Sequence, residues 1–148
     1  MAYNFKATDV MSGSFGKLYI DGREIAEIES FEAKADLKGK DVLLANGEIR
    51  NKNVGISIEI KFKVQKVFSL ELDLLKSVSK GKLNPLATLN VQIDDPEAVG
   101  SEAVAFNECG FKGNFDILSF TRQELVGREF TLSCGPSDIE ILESVDYL

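Results

Sequence analysis

Between Val54 and Gln65 apolar and polar residues alternate without a slip: Val54, Ile56, Ile58, Ile60, Phe62 and Val64 are interleaved with Gly55, Ser57, Glu59, Lys61, Lys63 and Gln65. Successive side chains on a strand point to opposite faces, so the pattern predicts one strand, dry on one face and wet on the other. At ~3.3 Å per residue it runs about 40 Å, roughly twice the usual strand. A sheet this long in a chain of 148 residues points to a structural part, built to extend or to pair with a neighbour.

Upstream, residues 1–14 are polar and small, with Ser12-Gly13-Ser14 as a turn signal, and predict an N-terminal arm. Phe15 to Ile20 reads as a strand, and Asp21-Gly22 supplies the positive-φ pair of a tight hairpin. The return segment, Arg23 to Leu37, admits two readings. Ile25, Ile28, Phe31 and Ala35 recur at helical spacing. A strand requires a phase slip near Ala26-Glu27, which a bulge provides, and the preceding Asp-Gly turn favours the strand. Residues 38–53 scatter Gly39, Asn46, Gly47, Asn51 and Asn53 around Val42-Leu43-Leu44-Ala45, a long loop or hairpin tip with sticky side chains.

Ser69 to Lys80 predicts a helix, with Ser69 as N-cap, Glu71 and Asp73 in the first turn, Lys76 and Lys80 near the end and Gly81 beyond. Val67, Leu70, Leu74 and Val78 form its apolar stripe, widened by Phe68, Leu72 and Leu75. Glu71 projects into that arc, either to reach first-turn amides or to meet a charge across a subunit interface. Further strands are expected at Leu86–Ile93, Ala103–Phe111, Phe115–Thr121 and Arg128–Cys134. The tail, 137–148, offers Ser137-x-x-Glu140 as a capping box, or else an extended arm.

Composition sharpens this picture. With 44% hydrophobic residues the chain can fill one core, so it is expected to be a single domain. The start, Met1-Ala2-Tyr3-Asn4-Phe5-Lys6, lacks the apolar run of a signal peptide, and no stretch approaches a membrane span, which predicts a protein made in the cytoplasm. Cys109 and Cys134 are too few for a disulfide framework and read as thiols in or near the core. Residues 1–82 hold 14 Lys/Arg against 12 Asp/Glu, whereas residues 83–148 hold 3 against 12, which together give the net charge of −7. That acidic half argues against general nucleic-acid binding.

Chemistry is scarce. The chain has no histidine, which removes Ser-His-Asp and Cys-His catalysis, the zincin motif and most transition-metal sites. Gly13-Ser14-Phe15-Gly16-Lys17-Leu18 has only two residues between its glycines and leads into a strand where a phosphate loop needs a helix. Asp94, Asp95, Glu97 and Glu102 do not have EF-hand spacing and read as a solvated acidic turn. No catalytic, cofactor-binding or metal-binding residue emerges, and no enzyme is expected.

One stretch, Ser12-Gly13-Ser14-Phe15-Gly16-Lys17-Leu18-Tyr19-Ile20-Asp21-Gly22-Arg23-Glu24-Ile25-Ala26 with Phe31-Glu32-Ala33, resembles the opening of PBSX-type phage tail tube proteins. The likeness continues through the long strand, Lys63-Val64, the helix, Asn84-Pro85, Thr88-Leu89, Asp94-Asp95 and Val104 to Phe111. Departures fall in residues 38–53 and the C-terminal tail. The resemblance implies a mainly β subunit, sandwich or barrel-like with one flanking helix, whose copies complete a ring-shaped barrel. Hexameric rings would stack as a hollow tube inside a contractile sheath, in a phage tail or an R-type bacteriocin such as a diffocin, released on lysis. Its partners would be other copies, the sheath protein, a tape measure protein in the lumen, and baseplate or tube-initiator and terminator proteins.

Two features of the residues accord with that role. Val42, Leu43, Leu44 and Ala45 could bury against a neighbouring subunit, and Ser57, Glu59, Lys61 and Lys63 could face the lumen. The acidic half would help a lumen repel nucleic acid, which leaves Lys61 and Lys63 in need of nearby carboxylates. The competing expectations are the tube of a type VI-like injection system and, in a different class, a small-ligand-binding β-barrel lined by the apolar face of the long strand.

Overall fold

The computed structural model describes residues 4–146. The strands are β1 (Gly16–Ile20), β2 (Arg23–Glu24), β3 (Ile28–Leu43), β4 (Ile49–Gln65), β5 (Leu86–Ile93), β6 (Glu102–Phe111), β7 (Gly127–Cys134) and β8 (Ile139–Glu143). One helix, α1 (Leu70–Ser79), lies between β4 and β5. The strands form one antiparallel sheet in the order β2-β1-β5-β6-β7-β4-β3, with β8 added to β6. The expected fold class, mainly β with one helix, is what the chain adopts.

The sheet curls back on itself. Phe31 of β3 packs against Phe106 of β6 with ring centroids 6.1 Å apart, although β7 and β4 separate these strands in the sheet. The β2–β3 connector bridges the two ends: the Ile25 amide donates to the Leu18 carbonyl (2.8 Å) and the Gln65 amide to the Glu27 carbonyl (2.9 Å). Inside lie Leu18, Ile20, Ile58, Ile60, Phe62, Val64, Leu89, Phe106, Phe130 and Leu132. Phe62 and Phe130 stack at 5.3 Å, and from Ile58 to Val64 the apolar face of β4 is filled by side chains of other strands. Within the curl, β6 changes partner. Glu108 sits at φ 51°, where β6 passes from pairing β8 at Ala103–Phe106 to pairing β7 at Gly110 and Phe111.

Several expectations meet corrections. The β1–β2 turn holds Asp21 at φ 50° and Gly22 at φ 85°, as a tight hairpin requires. Segment 23–37 is strand, not helix: β2 ends at Glu24, turn residues Ala26 and Glu27 absorb the change of phase, and a further irregularity falls between Ile28 and Ser30. Of the two readings of residues 38–53, the hairpin tip holds and the long loop does not, because β3 runs to Leu43 and β4 begins at Ile49. Phe115–Thr121 is not a strand. It belongs to an exposed connection between β6 and β7 in which Ile117, Leu118, Phe120 and Leu125 face solvent. Those apolar positions do not alternate and no strand pairs with them.

At the tail, the Ser137-x-x-Glu140 box gives way to a short turn in which the Asp138 carboxylate accepts from the Gly135 amide (3.1 Å), and β8 follows. Asp95 is not a solvated acid. It is buried, and its two oxygens accept the Ser12 and Glu97 amides at 3.1 and 3.0 Å, tying the N-terminal arm to the sheet. Residues 1–3 of that arm and 147–148 of the tail lie outside the described residues. Cys109 is fully buried and Cys134 half-buried, both as free thiols. Burial pushes Cys109 up to about 12, which keeps it protonated and unreactive.

The helix is held by part of its apolar stripe and by charge. Leu74 is in the core and Leu70, Leu75 and Val78 are half-buried, while Val67, Phe68 and Leu72 are exposed. Glu71, only 1% exposed, bonds Lys66 and stands 3.4 Å from the Arg128 Nε. Arg128 in turn donates from Nη1 to the Ser119 carbonyl (3.3 Å) and the Gly127 carbonyl (2.9 Å). Glu71 therefore reaches its own first-turn amide, as expected, and also ties α1 to β7 and the β6–β7 connection within one chain. Burial pushes the Glu71 carboxyl up. The Lys66 hydrogen bond, its own amide and the charges of Lys66 and Arg128 outweigh that and hold it below the usual carboxylate value.

Removing Glu71 leaves the buried Arg128 without its carboxylate, at a cost of about 3 kcal/mol. Glu71→Ala is therefore expected to lower Tm by roughly 10 °C in thermal unfolding at pH 7. Because the folded pKa of Glu71 is depressed, its contribution is present above the unfolded value of 4.5 and is lost as pH falls through the folded value. The stability advantage of wild type over Glu71→Gln should shrink in that acid range; an advantage independent of pH would refute the pairing.

Candidate functional site

The β3–β4 hairpin has two halves with different environments. At its root, Ile58, Ile60, Phe62 and Val64 enter the core. Beyond Ile58 every position of β4 back to Ile49 is exposed, as is β3 from Glu32 to Leu43. The outer nine residues of β4 extend for about 30 Å at strand spacing, so a two-stranded arm projects from the body. β3 is also the terminal strand of the sheet, and its outer edge has no strand partner among the described residues. Such an edge presents unpaired amides and carbonyls and is a template for another chain.

A tight tip ends the arm: the Leu44 amide donates to the Glu48 carbonyl (2.8 Å), the Gly47 amide to the Leu44 carbonyl (3.0 Å), and Gly47 takes φ 86°. Halfway along, the register shifts between Lys38 and Gly39, where Val54 is passed over. At Gly39 a Cβ would lie 2.3 Å from the Asn51 side-chain oxygen, so a larger residue there would displace that exposed amide.

Ser57, Glu59, Lys61 and Lys63 form a row on the wet face of β4, as expected. Opposite them stand Asp36, Lys34, Glu32 and Ser30 of β3. Carboxylates and amines pair within the face: Lys34 with Glu32 at 2.5 Å, Lys38 with Asp36, Lys61 with Glu59 at 3.7 Å and Lys63 with Glu29 at 3.9 Å. The hydrogen bond and charge of Lys34 hold Glu32 below its usual carboxylate value, and Glu32 raises Lys34 in return. Lys61 and Lys63 thus have the neighbouring carboxylates that the sequence left open.

Val42, Leu43, Leu44 and Ala45 do not form one patch. Val42 pairs with Arg50 on the wet face, Leu43 pairs with Ile49 on the opposite face, and Leu44 and Ala45 lie at the tip. Strand alternation divides a run that looks continuous in sequence. The apolar face holds two exposed pairs, Leu37 with Ile56 and Leu43 with Ile49. Ile49 was missed because a loop reading assigns it no face, and Leu37 because the expected 23–37 segment ends there, short of the arm.

A curled antiparallel sheet with a flanking helix and a long arm places the chain in the tail-tube class of folds. Among solved structures it is similar to the tube-terminating cap of the anti-feeding prophage, with TM-score 0.67 at 9% identity over 97% of this chain and 95% of that one. The PVC sheath-tube complex of an extracellular contractile injection system gives TM-score 0.64 at 10% identity over 90% and 93%. The virion of a native gene transfer agent particle gives 0.62 at 12% over 90% and 100%.

The chain belongs to the phage tail tube protein family, which it matches over residues 3–143. It is 29% identical over 108 residues to the phage-like element PBSX protein XkdM of Bacillus subtilis (strain 168), covering 72% of this chain and 74% of that protein. It is also 29% identical over 111 residues to YqbM of the same organism, with the same coverage. The resemblance seen in the sequence is therefore to the right family, and the protein is a phage tail tube protein.

A two-stranded ribbon without a third strand or a packed face is marginally stable. In the isolated chain, amides of residues 38–53 should exchange with solvent within minutes while those of Ile58 to Val64 are protected to near the global stability, as read by hydrogen-exchange mass spectrometry. Equal protection along β4 would contradict the division of the hairpin.

Proposed function

We propose that this protein, acting as a single tail tube domain, forms hexameric rings that stack into a hollow tube inside a contractile sheath, in a phage tail or a phage-tail-like bacteriocin. The observation that carries the reading is the hairpin, which joins an open sheet edge at its root to an arm exposed on both faces. An open edge of sixteen residues and exposed Leu37, Leu43, Ile49 and Ile56 are liabilities in a lone subunit and assets in an assembly. The wet face, with Ser57, Glu59, Lys61 and Lys63, is assigned to the lumen. Its self-paired charges suit a surface along which cargo moves without adhering.

The role is assembly, without catalysis. Sheath, tape measure, baseplate or initiator and terminator proteins are the partners, and no specific nucleic-acid or membrane contact is assigned. Among the described residues no helix is long and apolar enough to cross a membrane. The subunit is made in the bacterial cytoplasm and leaves in the particle on lysis.

Negative-stain microscopy of the purified protein is expected to show rings or tubes. Leu43→Asp with Ile49→Asp should abolish stacking and leave the circular dichroism of the β body unchanged. A strictly monomeric protein across a wide concentration range overturns the assembly reading, and normal tubes from the double variant overturn the role of the arm.

A further inference from the structure

The far end of the arm carries a charge conflict. Register places Lys40 directly opposite Lys52, and like charges facing each other across a strand pair destabilise it. Neither lysine has an ion-pair partner among the described residues. On the same face, Val42 is opposite Arg50, which is tied to Glu48 at 3.2 Å. The arm thus ends in a basic surface on a chain whose net charge is −7.

Charge of the other sign collects near the root of the same arm. Ile93 pairs with Glu102, and Ala103 with Glu143, so the ends of β5, β6 and β8 meet there. Asp94 and Glu97 lie on the connecting turn, and Val145 lies against Gly100, which brings Asp146 to the same end. All five carboxylates are exposed and none has an ion pair among the described residues. Lys17, across from Gln92 on β1, is a cationic neighbour. Glu102 shares a cleft with Ala33, and Lys40 is seven residues further along β3, about 23 Å at strand spacing. The two charge groups of one chain therefore cannot meet.

We infer that Lys40 and Lys52 at the end of one arm dock onto the acidic end of a second copy, the surface of Asp94, Glu97, Glu102, Glu143 and Asp146. This rests on the assembly reading and names the surface that receives the arm. The two patches differ, so the contact is head-to-tail and can repeat without closing on itself, as a stack requires. It also accounts for an unfavourable lysine pair in the isolated chain: a carboxylate surface of the neighbour supplies the missing countercharge.

Charge exchange with the full-length protein tests this. Lys40→Glu with Lys52→Glu should raise the concentration needed for assembly at least tenfold by sedimentation velocity, with the fold retained by circular dichroism. Adding Glu97→Lys and Glu102→Lys to that variant should restore tubes in negative stain. Wild-type tubes should also loosen as salt rises from 0.15 to about 1 M, where the screening length falls from about 8 to 3 Å. Assembly unaffected by the lysine reversal overturns the inference and leaves the tube intact as a reading, whereas a wild type that never assembles defeats both. If the reversal blocks assembly and the acidic changes fail to restore it, the acidic surface is not the receptor and the inference falls.

Discussion

The structure depends on how one face of β4 is covered. Its alternation continues from Val54 to Val64, yet neighbouring strands cover only Ile58 to Val64, where β7 supplies Phe130 and Leu132. The same periodic signal therefore makes a core at one end and a projecting arm at the other. The curl of the sheet follows from the covered half, since Phe31 reaches Phe106 only because β3 is carried over the core by its pairing with β4. Assembly follows from the uncovered half. An arm whose two faces and outer edge are open is a surface that only another chain can complete.

Stability and assembly are divided between two kinds of interaction. Dispersion and burial hold the body, while α1 combines Leu74 and half-buried Leu70, Leu75 and Val78 with Glu71 set between Lys66 and Arg128. A buried ion pair is a poor source of net stability and a strict source of position, because each partner is costly without the other. On the wet face, charges are exposed and paired in sequence-local couples, worth little individually. Their consequence is a surface with little net field. The arm's end breaks that pattern, and the break is local to Lys40 and Lys52.

Much of the fold was legible in the sequence. The strand periods of β1, β4, β5, β6 and β7, the Asp21-Gly22 turn and the Gly81 end of α1 are local signals set by local physics, whereas Ser69, expected as N-cap, makes no side-chain capping bond. Family resemblance identified the class, and the match over residues 3–143 agrees with it. Less of the site was legible. Residues 38–53 look like a loop because Gly39, Asn46, Gly47, Asn51 and Asn53 are poor strand formers; Asn46 and Gly47 do make the turn, while pairing between two long strands overrides the preference of Gly39, Asn51 and Asn53. Phe115–Thr121 shows the reverse, an apolar segment left without a partner strand.

By itself the sequence determined which residues share a face wherever alternation is unbroken, as for Ser57, Glu59, Lys61 and Lys63, and it determined the acidic balance of the C-terminal half. Tertiary structure decided which faces are covered, which charges meet, and where Val42 parts from Leu43. Periodicity is a property of one segment. Burial, register and the pairing of Glu71 with Arg128 depend on residues far apart in the chain, and only the folded sheet brings them together.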